Sequence, residues 1–264
     1  MSTRVALLAL SVLSALYQWA LVLACRRSVW AEVAIGLVFP AACALTGRLR
    51  FVDSRVAQLV FIETYFCVAA IASKLTVSAS TTVTTAVGAL FVGFFVMQCA
   101  GFLVAQRRRR SPHGAFQTLV LFTLIAHWWW GRPVASGVVD SSGRLLVFGV
   151  EAPLTVRLAY VLWVSNVLLV QTRTLPRLHQ ALVHAVSVAL AFGSGEFFHA
   201  RLVTACHLFV LDLLVNYSEG RDGARSAVVL SPTLLRLHER YGRRALSWIA
   251  SIGIASIAAA QLAR

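Results

Sequence analysis

Acidic residues are scarce in this chain. Asp and Glu total 10 in 264 residues, and charged residues of both signs make up only 13%. A soluble globular domain carries roughly 25%, so there is too little polar surface to cover a particle that faces water. A soluble enzyme and a disordered regulator are excluded on that ground. Lysine is nearly absent: Lys74 stands alone, and no lysine lies late enough for a retinal Schiff base. The five cysteines (Cys25, Cys43, Cys67, Cys99, Cys206) are scattered through apolar stretches. None forms a C-x-x-C pair or a zinc-like spacing. A disulfide-stapled module is excluded, and the cysteines read as small buried hydrophobes.

Chemical motifs are missing too. There is no D-D-x-x-D or N-S-E-type array for magnesium and diphosphate, no H-E-x-x-H, no G-x-S-x-G, no Walker loop and no G-x-G-x-x-G. Gly193-Ser194-Gly195 echoes an intramembrane serine protease, but the His-x-x-Gly helix that should accompany it is absent. No cofactor and no metal are expected.

What is present is apolar. Hydrophobic residues are 59% of the chain, and the mean hydropathy is +0.77. A membrane-crossing helix needs about 20 mostly apolar residues. That window fits 4–24, 29–47, 56–77, 82–105, 115–130, 154–171, 178–194, 197–217 and 245–262. The fifth, seventh and ninth are short or rich in Ala and Ser, so the count runs from seven to nine. The expectation is an all-α, polytopic transmembrane helix bundle forming one integral-membrane domain over 1–264, with the lipid bilayer as partner.

The net charge of +14 comes from short Arg runs between apolar segments, which is how cytoplasmic loops are marked, not how a nucleic-acid surface is built. Arg48/Arg50/Arg55, Arg107–Arg110, Arg173/Arg177 and the arginines from Arg221 to Arg244 follow the second, fourth, sixth and eighth spans. Those loops and the N-terminus are placed in the cytoplasm, and the membrane is read as a bacterial cytoplasmic one. Val22-Leu23-Ala24-Cys25 resembles a lipoprotein cleavage box, but Arg26 and Arg27 follow at once, so a retained helix is expected. Between spans five and six, Asp140-Ser141-Ser142-Gly143 is a turn signal between Val138-Val139 and Leu145–Val150. It predicts a small hairpin, as a lid on the outer face or as a plain connector.

Carboxylates inside hydrocarbon are costly, about 2.5–3.5 kcal/mol each on insertion scales. Glu196 is assigned to a structural pair with Arg201. That leaves Glu32, Glu63 and Asp212 within spans. At 1.5 Å per residue, Glu63, Asp212, Asn166, Gln98 and His184 all fall roughly 8–11 Å inside the cytoplasmic face. They are candidates for one polar layer drawn from five helices, with His207 near mid-depth. The plain alternative is a set of separate interhelical hydrogen bonds. Two acids in a dry site would hold a proton at neutral pH, usable as a Brønsted acid. Tyr65, Trp163 and Phe209 lie close in sequence to Glu63, Asn166 and Asp212, and aromatic faces stabilise a cation in a dry cavity. Trp128–Trp130 read as an interfacial belt.

Three patches carry a family resemblance. Trp30-Ala31-Glu32 with Pro40 resembles the W-E…P signature of the small integral-membrane terpene cyclases of meroterpenoid and indole-terpenoid pathways. Ser111-Pro112-His113-Gly114 resembles that family's S-x-x-G before a helix, and Phe209-Val210-Leu211-Asp212 with Tyr217 resembles its late helix bearing an acid. The resemblance implies protonation of an alkene or epoxide of an apolar prenylated small molecule, such as a farnesylated indole, to start polyene cyclisation without loss of diphosphate. Asp212, Glu63 and Glu32 are then the candidate acids, with depth favouring Glu63 over Glu32 as the partner of Asp212. Asn166, His184, Gln98, His207, Tyr65, Trp163 and Phe209 are candidates for lining the substrate site. The rival expectations are a proton or small-solute transporter using the same polar layer, and a non-enzymatic multispanning protein.

Overall fold

The computed structural model describes residues 3–45, 54–130, 135–171, 178–215 and 232–263. The described chain is an all-α membrane bundle with one small hairpin. In chain order the helices are α1 (Thr3–Arg27), α2 (Val29–Leu45), α3 (Ser54–Leu75), α4 (Thr81–Arg108), α5 (Pro112–Trp130), α6 (Leu154–Gln171), α7 (Leu178–Gly193), α8 (Phe197–Val215) and α9, which runs through Pro232–Leu237, His238–Gly242 and Arg243–Leu262. Among the described residues, Leu8–Arg27, Thr81–Arg108, Leu154–Gln171 and Thr233–Leu262 are long and apolar enough to cross a membrane. Val29–Leu45, Gln180–Gly193 and Phe197–Leu211 are apolar but shorter. The expected seven to nine full spans therefore reduce to four by length and composition. Seventeen helical residues rise only about 26 Å, short of the roughly 30 Å hydrocarbon core.

The side chains are sorted as a bilayer requires. α1 exposes Leu8, Val12, Leu16 and Trp19 and buries Ser14, Gln18, Val22 and Cys25. Both sets advance by four, four and three residues, which makes two opposite stripes of one helix, with the apolar stripe facing outward. α9 is sorted likewise: Ser247, Ala250, Ser251 and Ile254 face inward, and Trp248, Ile249 and Ile252 outward. Water would select the opposite arrangement. The cysteines fall as expected, with Cys25, Cys43, Cys67 and Cys206 buried and Cys99 half-buried, and none of them in a disulfide.

The described residues form two compact units. The first comprises 1–95, 134–151 and 182–226, and the second 96–133, 152–181 and 227–264. In the first unit α3 packs on α8 and on α2, and α1 on α8. α2 contains a π-turn over Ala34–Val38, two residues before Pro40. Proline has no N–H to give the carbonyl four residues back, and the widened turn absorbs that gap. Gly36 in this turn lies directly on Cys67 of α3: a Cβ there would stand 2.7 Å from both the Cβ and the Sγ of Cys67. Gly36→Ala is therefore expected to destabilise the protein by about 1–3 kcal/mol through overpacking, read as a lower thermal midpoint in detergent. An unchanged midpoint would mean that the α2–α3 contact is loose.

The predicted hairpin is present. Val138 pairs with Leu146 and Val139 with Leu145, antiparallel. Asp140 organises the turn: its Oδ1 accepts from Ser142 N at 2.9 Å, Ser142 Oγ at 2.7 Å and Arg144 N at 3.0 Å, and its Oδ2 accepts from Arg144 Nε at 2.7 Å. Slight burial works to raise this carboxyl, but the hydrogen bonds from Ser142 and Arg144 outweigh it and hold the pKa at about 2. A pKa depressed on folding stabilises the turn above the unfolded value near 4, and that contribution disappears as pH falls through 2. Asp140→Asn is expected to speed amide exchange in the hairpin at pH 6, with the variant and the native chain converging near pH 2. Equal exchange at pH 6 would contradict this account.

In the second unit α5, α6 and α9 pack on one another. Ser111-Pro112-His113-Gly114 is the start of α5. Ser111 Oγ accepts from Gly114 N at 3.2 Å, and Pro112 is the first helical residue, where its missing N–H costs nothing. The S-x-x-G spacing is thus accounted for by helix capping.

Candidate functional site

The first unit holds two buried polar clusters, built by α1, α2, α3, α7, α8 and the link between α7 and α8. The first cluster is a chain of charged groups where α1 and α3 end and α2 and α8 begin. Lys74, at the end of α3, forms an ion pair with Glu32 Oε2 and donates to the Cys25 carbonyl at 2.7 Å. Glu32 Oε1 meets His199 Nε2 at 2.9 Å. His199 Nδ1 meets Glu196 Oε2 at 2.9 Å. Arg26 Nε donates to Glu196 Oε1 at 2.8 Å, and Arg26 Nη2 donates to the Ser194 carbonyl at 3.1 Å. Each ring nitrogen of His199 faces a carboxylate oxygen, so the imidazole donates on both sides and carries positive charge. The hairpin is tied in as well, through Leu145 N donating to Glu196 Oε2 at 3.1 Å.

Glu32, Glu196 and His199 are at most 2% exposed. Glu196 lies in the link between α7 and α8. Burial pushes its carboxyl up, but the hydrogen bond and charge of His199, joined by those of Arg26, hold it below the usual carboxylate range. The expected pairing of Glu196 with Arg201 is corrected here. Arg201 points away, and its Nη1 donates to Ser187 Oγ on α7 at 3.0 Å.

The second cluster lies deeper along the same helices. Glu63, Cys67 and Lys74 follow the 3.6-residue period on one face of α3, so Glu63 sits below Lys74 by about 16 Å of helix rise. Glu63 is 3% exposed. Its Oε2 has no hydrogen-bond partner among the described residues. The Arg201 guanidinium acts electrostatically on both Glu63 and His184, which puts all three in one neighbourhood without an ion pair. His184 is buried, with its ring 5.6 Å from that of Phe209. His207 bonds Tyr17 through Nε2 and stacks on Phe39 at 4.9 Å. Nδ1 of each ring has no partner among the described residues. Gln18 donates to Ser14 Oγ at 2.7 Å and to the Val183 carbonyl at 3.0 Å. Tyr65 is half-buried, with its hydroxyl beside Gly93 of α4.

The remaining sequence candidates fall elsewhere. Asn166, Trp163 and Gln98 belong to the second unit. Asn166 Oδ1 accepts from Ser247 Oγ at 3.1 Å, and Trp163 Nε1 donates to Thr118 Oγ1 at 3.0 Å. Both are interhelical hydrogen bonds of the ordinary kind. Gln98 is half-buried on α4. The side chain of Asp212 lies outside the described residues. Trp30 of the W-x-E…P patch is 71% exposed. Of the tryptophan triplet, Trp128 is buried and Trp130 is 84% exposed. Among the described residues no group of three or more His, Cys, Asp and Glu side chains could hold a metal ion.

Sequence reasoning did not single out His199, and it gave Lys74 and Arg26 no place in a buried cluster. The signal for Lys74 was available: one lysine in an arginine-rich chain, at the end of a span. Comparison with protein-family models, curated proteins and solved structures returned no match.

Proposed function

We propose that the first unit is a membrane-embedded acid site, with Glu63 as its proton donor, and that it starts the cyclisation of an apolar prenylated substrate by protonating an alkene or epoxide. The observation that carries this reading is the state of Glu63: a carboxyl inside the bundle with one oxygen lacking a hydrogen bond, and with no ion pair, among the described residues. A carboxyl without an ion pair in low dielectric is held neutral, and a neutral carboxylic acid is the form a Brønsted acid needs. Glu32 is the weaker candidate, because Lys74 and His199 occupy both its oxygens. Phe209, Phe39, Tyr17 and Tyr65 supply ring faces near the polar cluster for an intermediate cation. The cytoplasmic membrane of a bacterium is the proposed location.

The test uses membranes containing the full chain, given a farnesylated indole and its epoxide, with cyclised products separated by mass spectrometry. The native chain is expected to form a cyclised isomer, and Glu63→Gln is expected to abolish it. Asp212→Asn tests the second acid in parallel. No isomer from the native chain, or an undiminished isomer from Glu63→Gln, would overturn the reading.

A second activity is favoured by one further observation. Glu63 Oε2, His184 Nδ1, His207 Nδ1, Gln18 Oε1 and Arg201 Nε, all in one unit, are buried and have no partner among the described residues. Water joining such atoms would make a path for protons. Proton flux into liposomes that is lost in Glu63→Gln, without any cyclised product, would replace the first reading with this one.

A further inference from the structure

Arg201 is 3% exposed, yet among the described residues its guanidinium makes one hydrogen bond, from Nη1 to Ser187 Oγ at 3.0 Å. The receiving hydroxyl is itself fixed. Ser187 Oγ lies 2.7 Å from Thr204 Oγ1, and Thr204 Oγ1 donates to the Ala200 carbonyl at 2.8 Å. The guanidinium plane is therefore anchored on its Nη1 side. Among the described residues its Nε is buried and unpartnered, and the bond to Ser187 leaves Nη2 unused. The nearby acids do not supply the missing partner: Glu32 and Glu196 are committed to Lys74, His199 and Arg26, and Glu63 acts on Arg201 only through space. A desolvated cation with an unused edge is among the least favourable groups a fold can bury.

We propose that the open Nε–Nη2 edge of Arg201 is a binding site for a carboxylate that enters the bundle. The geometry sets the class. Two parallel N–H groups on one edge of a fixed plane match the two oxygens of a carboxylate. One uncompensated positive charge calls for a monovalent anion, where a phosphate dianion would need a second cation. His184, buried on α7 with Nδ1 unpartnered and within the field of Arg201, offers a further donor when its proton sits on that nitrogen. The carboxylate has two sources: a small acid from water, or a fatty acid from the bilayer. The site goes beyond the proposed acid chemistry but rests on that reading in one respect, an uncharged Glu63.

The experiment reads the thermal midpoint of the purified full chain in zwitterionic-lipid nanodiscs. Sodium acetate tests the aqueous source and oleate in the bilayer tests the lipid source. Sodium chloride and oleyl alcohol are the controls. Acetate or oleate, or both, is expected to raise the midpoint in a saturable way, and neither control should. Arg201→Lys keeps the charge, and so the fold, but removes the planar fork, and apparent affinity is expected to fall about tenfold or more. Glu63→Gln is expected to keep the response, which separates this result from that of the cyclisation assay. The proposal is overturned if neither carboxylate shifts the native chain, if chloride matches them, or if Arg201→Lys responds as the native chain does.

Discussion

Glu32→Ala will be among the most destabilising single substitutions in this protein, costing about 3–5 kcal/mol. The reason lies in what the change leaves behind. Glu32 Oε2 pairs with Lys74 and Oε1 meets His199. Its removal strands a 7%-exposed ammonium, which among the described residues then keeps the Cys25 carbonyl as its one partner, and deprives the fully buried His199 of one of its two acceptors. The loss is the desolvation of the stranded partners, not the value of one contact. It follows that the double change Glu32→Met with Lys74→Met should recover much of the stability, because a well-packed apolar pair often replaces a buried ion pair at little cost. Denaturant or SDS unfolding of the single and double variants measures this directly. A loss under 1 kcal/mol in Glu32→Ala would show that water reaches the cluster.

Glu63→Gln should behave in the opposite way, with a large loss of activity and little change in stability. A positioned general acid contributes roughly 10²- to 10⁴-fold, and cyclised product is expected to fall by that range. Stability is expected to stay within about 1 kcal/mol. No ion pair is broken, and Glu63 Oε2 has no hydrogen bond to lose. Loss of folding in Glu63→Gln would instead mark residue 63 as structural. Retained product formation would end its role as proton donor.

The all-α apolar bundle was legible because long apolar runs carry it, but the span count was not, since several of those runs fold into helices too short to cross. The hairpin was legible from Asp140 to Gly143, where the turn chemistry is local. The polar sites were only half legible. Depth along a helix is countable from sequence, and so Glu63 and His184 could be singled out. Which residue faces which is not countable. Depth alone placed Asn166 and Gln98 in the same layer as Glu63 and His184, whereas the fold commits Asn166 to Ser247. Position next to a turn suggested that Glu196 meets Arg201, but the helical period carries Arg201 to the α7 side and His199 to the carboxylate. The Ser111–Gly114 patch had a local reading, helix capping, that needs no shared chemistry.

The charged chain around His199 also sets an order of assembly. Glu32 and Lys74 are 42 residues apart, so both can be in the bilayer early in synthesis. Arg26 and Glu196 are separated by 170 residues, and Glu32 and His199 by 167. Arg26 must therefore wait, without its final partner, until the link before α8 has been made. A nascent chain halted before residue 196 would carry an unmatched positive charge at the end of its first helix.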